Sequence, residues 1–164
     1  MTEMQAGSRG SQTWFRFRVM VAARAFGLGT LGGVRQEAPV MGGALTITVR
    51  SERGVVIAAV TGEIDISTLD QLREYLFELA DHGATLIVDL NRVTFIDSAG
   101  LGALVGTARR AAKHGGSLHA VCARPQTRKL LWMTGVDRRI PLTATVDGAL
   151  MLMEASQGNS GSGA

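Results

Sequence analysis

A chain of 164 residues that is 46% hydrophobic and 19% charged has enough apolar residues for one globular core and is too mixed for a fibrous or fully disordered protein. No apolar run approaches the ~18 residues needed to span a bilayer, and the single cysteine, Cys122, excludes an intramolecular disulfide and reads as a small buried filler. The formal charge of +3 comes entirely from residues 1–44, where five arginines face two glutamates. The remainder carries equal numbers of basic and acidic residues, so the pI of 9.7 does not argue for nucleic-acid binding.

Residues 1–44 show no sustained period. Glycines recur (Gly27, Gly29, Gly32, Gly33, Gly42, Gly43), and Trp14 and Phe15 stand among arginines. Arg24 interrupts the apolar stretch from Val19 to Leu31 and no small-residue cleavage site follows, which argues against a signal peptide. The expectation is an N-terminal extension, either disordered or upstream sequence translated from the wrong start, with Met41 as the natural start.

The pattern sharpens at Leu45. "LTITVR" alternates like a half-buried strand, and "GVVIAAVTG" reads as a strand buried on both faces. In "STLDQLREYLFELADHG" the residues Leu69, Leu72, Leu76 and Leu79 mark one helical face, with Ser67 and Asp70 placed as a capping pair and Gly83 as the stop. "ATLIVDL" is a further buried strand. After "VTFIDSAGLG" comes a helix from Ala99 to about His114, with Leu101, Leu104, Val105 and Ala108 on one face. "SLHAVCA" is a strand, Pro125 opens a third helix that Gly135 ends, and "TVDGALMLMEA" is a fourth helix before the solvated tail 156–164. The order β-β-α-β-α-β-α-(short β)-α predicts an α/β fold: a small mixed, mostly parallel sheet with helices packed on it. The short first connection makes the first two strands antiparallel.

The stretch "VTFIDSAGLG" carries the functional question. Asp97 ends a strand region and Ser98 begins a helix, where open α/β sheets gather their ligand sites. Ser98 can equally be a plain N-cap worth ~1 kcal/mol. A cap does not explain Gly100, Gly102 and Gly106, each costing ~1 kcal/mol within a helix, so something approaches that helix closely. "DSAGLG" contains no G-x-G-x-x-G, no Gly-Lys-Ser/Thr follows, and the serine is not in G-x-S-x-G. His82 and His114 each precede a glycine at a helix C-terminus, His119 lies in a strand, and no metal-ligand spacing appears. No catalytic residue, metal or cofactor is therefore expected.

"VDLNRVTFIDSAGLGALVG" resembles the signature of the bacterial anti-sigma factor antagonists, the STAS-domain family. The resemblance extends to "VTGEIDIST" upstream and "LLWMTGVDRRI" downstream, and covers residues 45–155. It implies a STAS-like fold and a protein that binds a serine kinase-type anti-sigma factor and so frees a sigma factor. It implies that Ser98 is the phosphorylation site that switches binding off, and that a serine phosphatase restores it. The second hydroxyl often found after the acceptor is Ala99 here, which leaves Ser98 alone in the motif. The partner face implied is Glu63, Asp65, Asp97, Ser98, Ala99, Gly100, Leu101 and Gly102. For Glu63 and Asp65 a solvated strand end is the alternative. Neither direct nucleic-acid nor membrane contact is implied, and the setting is cytoplasmic. Two other readings stay open: a STAS scaffold component of a signalling complex that is never phosphorylated, and, less favoured, an enzyme or nucleotide binder using Asp97 and Ser98.

Overall fold

The computed structural model describes residues 45–158; residues 1–44, with the expected extension, and residues 159–164 lie outside them. In chain order the elements are β1 (Leu45–Glu52), β2 (Val55–Ile64), α1 (Leu69–Asp81), β3 (Thr85–Ile96), α2 (Ser98–Lys113), β4 (Ser117–Val121), α3 (Pro125–Met133), a 3-10 turn (Val136–Arg138), β5 (Leu142–Thr143) and α4 (Val146–Gly158). The five strands lie side by side in sequence order. β1 runs antiparallel to β2, and every later pair is parallel. The expected α/β architecture, a small mixed sheet carrying helices, is the one observed.

The continuous apolar runs have a direct cause: both faces of the central strands are covered. Val56, Ala58 and Val60 of β2 and Leu86, Val88 and Leu90 of β3 enter the main core with α1, α2 and Leu131 of α3. Their neighbours Val55, Ile57 and Ile87, with Val121, pack beneath Ala149, Leu150 and Met153 of α4. The free thiol of Cys122 is buried in the main core. Leu69, Leu72, Leu76 and Leu79 all turn inward, as their spacing predicts. Gly83 (φ 69°) and Gly135 (φ 72°) take left-handed conformations just past α1 and α3, so both expected stops hold.

Three boundaries differ from expectation. α1 starts at Leu69, and neither Ser67 nor Asp70 caps it: Thr68 is the N-cap residue and makes no side-chain cap bond. Ser67 is instead bound to Asp65, two residues upstream. β3 is one strand from Thr85 to Ile96, so the "ATLIVDL" strand and the strand region that Asp97 ends are continuous through Asn91–Arg92. The partner strand absorbs the mismatch through register shifts between Ala59 and Thr61 and between Gly62 and Glu63. α4 runs on to Gly158, three residues into the segment read as tail.

Candidate functional site

The β2–β3 ladder assembles the site. Glu63 pairs with Phe95 and Ile64 with Ile96, and the Asp97 N–H donates to the Ile64 carbonyl at 3.0 Å. The loop after β2 and the first turn of α2 therefore meet at the carboxyl ends of two parallel strands, the favoured place for a site in such a sheet.

At the start of α2 the capping residue is Asp97, not Ser98. Asp97 is extended (φ −96°, ψ 179°), and its Oδ1 accepts the Gly100 N–H at 2.8 Å. Ser98 is the first helical residue. It is exposed, and its hydroxyl hydrogen-bonds no group among the described residues. The carboxylate has taken the structural task and left the serine free of one. A phosphate here would sit at the positive end of a 16-residue helix, beside N–H groups without helical partners.

The facing loop is fastened by Asp65. Its Oδ1 accepts the Ser67 hydroxyl at 2.6 Å, the Ser67 N–H at 2.8 Å and the Thr68 N–H at 3.2 Å. The Thr68 hydroxyl in turn donates to the Glu63 carbonyl at 2.9 Å. The Ser67 hydroxyl, above all, with the two N–H groups, holds the Asp65 carboxyl below its ordinary value. Asp65 is thus a fixed anion that sets the loop, whereas the Glu63 side chain is exposed at the strand end.

The glycines of α2 separate by direction. A Cβ on Gly100 would overlap Ile64 Cγ2 and stand 2.9 Å from Ile96 Cγ1, so this glycine lets the helix sit low on the strands. Gly102 faces solvent, with nothing within 4 Å of where its Cβ would be. Leu101 is only 6% exposed and packs in the core, and Gly100 is likewise turned inward. Ala99 is half-buried against the core. What the fold leaves accessible is Ser98 with Glu63 and Gly102, and Asp65, Asp97 and Ala99 in part.

Two residues escaped the sequence reading. Ile66, in the Asp65 loop, is 75% exposed, and Phe95, one residue before Ile96, is 52% exposed. The available signal was that Ile66 stands between two polar turn residues, outside the period of either neighbouring element.

Residues 46–149 match the STAS domain family. The chain belongs to this family, among the anti-sigma factor antagonists. The anti-sigma-B factor antagonist of Bacillus subtilis is 33% identical over 106 residues, which are 65% of this chain and 97% of that protein. The anti-sigma-F factor antagonist RsfB of Mycobacterium tuberculosis is 36% identical over 110 residues, 65% of this chain and 88% of that one. Among solved structures, an anti-sigma factor antagonist from Mycobacterium paratuberculosis superposes with a TM-score of 0.62 at 33% identity, covering 66% of this chain and 93% of that chain. STAS-domain antagonists are regulators rather than enzymes. No helix among the described residues of this STAS protein is long and apolar enough to cross a membrane.

Proposed function

We propose that this protein binds a serine kinase-type anti-sigma factor in the cytoplasm, releases the sigma factor that partner holds, and is switched off when the partner phosphorylates Ser98. The observation that carries the reading is the division of labour at the start of α2. Asp97 caps the helix, so Ser98 is exposed with a hydroxyl the fold does not use. The antagonists this chain resembles supply the class of partner.

In the proposed transfer the Ser98 oxygen attacks the γ-phosphorus of ATP bound to the kinase. The Ser98 O–P bond forms, the bond from γ-phosphorus to the β-bridging oxygen breaks, ADP leaves, and a base of the kinase takes the hydroxyl proton. The product carries about −1.5 to −2 charges at position 98. Within the free domain that group is tolerated, because helix N–H groups and the dipole favour an anion. Within the complex it must lose water next to Asp97 and opposite the nucleotide phosphates left on the kinase. The complex is weakened while the fold is not. The open side of Gly102 gives the partner room above α2. A serine phosphatase that hydrolyses phospho-Ser98 resets the switch.

The test is direct. Incubation with the kinase-type anti-sigma factor and Mg-ATP should add one phosphate by mass spectrometry, located on Ser98, and Ser98→Ala should abolish it. Thr107 is fully buried and donates to the Ala103 carbonyl at 2.8 Å, so it is no competitor. An exposed alternative in the same stretch is Thr94, whose hydroxyl donates to the Gly62 carbonyl at 3.3 Å; label there would refute the assignment.

A further inference from the structure

Exposed large apolar side chains are few in this domain, and two of the six among the described residues, Ile66 and Phe95, are at the Ser98 site. Both lie within two residues of the Ile64–Ile96 pair from which the Asp97 backbone is hung. Neither serves the core. Scattered exposed hydrophobics need no explanation, but these two are held in place. Four hydrogen bonds from Ser67 and Thr68 to the Asp65 carboxylate hold the backbone that carries Ile66. Phe95 is locked in the β2–β3 ladder opposite Glu63. An apolar group that is already ordered loses little entropy when a partner covers it.

From this arrangement we infer that Ile66 and Phe95 are the apolar anchors of the docking face around Ser98, and that they determine how tightly the anti-sigma factor binds. The inference rests on the function proposed above and names the same partner, which must offer an apolar surface opposite these two residues. The location supports it: the anchors come from the two segments that also carry Glu63, Asp65, Asp97 and Ser98, so one partner surface covers all of them. Protein interfaces concentrate their energy in such central apolar groups, with polar groups around them. The anchors also serve the switch. By excluding water they lower the local dielectric, which strengthens repulsion against a charge at position 98. On a wet, purely polar face the phosphate would be screened.

Calorimetric titration of the full chain into the anti-sigma factor that phosphorylates it tests this. Ile66→Thr and Phe95→Thr should each weaken binding about tenfold or more. Ile66→Val and Phe95→Leu should stay within about threefold, since they keep an apolar anchor. Thermal melts should show all four variants folded, because neither side chain is in the core. In the Ile66→Thr/Phe95→Thr background the penalty of Ser98→Asp should shrink. If the threonine variants bind within about twofold of wild type while Ser98→Asp still weakens binding, the anchors are wrong and the switch stands. If Ser98→Asp binds like wild type, the switch reading fails and takes this inference with it.

Discussion

Asp97 and Ser98 are adjacent, both can cap a helix, and only one does. The Asp97 carboxylate reaches the Gly100 N–H at 2.8 Å. Asp97→Ala should therefore cost about 1 kcal/mol, or a melting shift of about 4 °C, while Asp97→Asn, an equally good cap, should cost little. Ser98→Ala should melt with the wild type; a loss comparable to that of Asp97→Ala would return the capping role to the serine. His119 gives a second residue-level expectation. Its ring is half-buried in β4, its Nδ1 is buried without a hydrogen-bond partner among the described residues, and burial pushes its pKa below 6.5. The unfolded chain then takes the proton first, so stability is full above about pH 6.5 and declines as pH falls from there toward the lowered folded value. His119→Val should flatten the melting temperature between pH 7 and pH 5; an unchanged slope would place the acid sensitivity elsewhere.

Helix α2 is shaped by what lies on each side of it. Its inner face carries Gly100 against Ile64 and Ile96, then Leu101, Ala103, Leu104, Thr107 and Ala111. Its outer face carries Gly102, which touches nothing. Gly100→Ala must push Cβ into Ile64 and should cost about 1–3 kcal/mol by overpacking. Gly102→Ala relieves a helical glycine in open space and should add about 1 kcal/mol. Urea denaturation of the two variants checks the signs, and a destabilising Gly102→Ala would contradict the open surface. A fold that gives up about 1 kcal/mol at Gly102 is consistent with a face kept clear for a partner. Toward its C-terminus, α2 is tied to α1 by Arg110, which donates to Asp81 at 2.8 Å and lies 4.7 Å from the Phe77 ring centroid. The Arg110 hydrogen bond, first of all, lowers the Asp81 pKa, so this tie is complete above pH 3.8 and is lost as pH falls through the lowered value.

For the whole molecule, the proposed switch acts on binding and leaves the fold alone. α2 is anchored by its buried face and by Asp97, so a charge added at exposed Ser98 has no core contact to break. Ser98→Asp puts a carboxylate on the first helical residue, where the dipole favours it. It should melt like wild type yet bind the anti-sigma factor at least tenfold more weakly, a difference of about 1.4 kcal/mol that calorimetry resolves. Ser98→Ala should bind like wild type. If both variants stay folded and neither binds, the serine hydroxyl itself makes an essential contact in the interface.

The order of elements was legible along the chain because each segment records its own burial. The leucine period of α1, the two-faced apolar runs of β2 and β3, Pro125 at the start of α3 and glycines at the stops all act within a few residues of where they stand. The antiparallel first pair followed from a short connection, too short for a crossover, which the structure narrows to Arg53–Gly54. The motif around Ser98 was legible for the same reason, as a strand end running into a helix start. Which residue of that motif does what was a tertiary decision. Asp97 rather than Ser98 caps because the backbone angle at the strand exit aims the carboxylate at Gly100. Gly100 is spatially required and Gly102 is not, because only one of them faces Ile64, and Ile64 lies 36 residues earlier in the chain. Leu101 is lost to the core by the same packing. Phe95 comes to stand opposite Glu63 only after two register shifts between β2 and β3. Such shifts are set by the pairing of distant segments, and a single stretch of sequence carries no record of its partner's register.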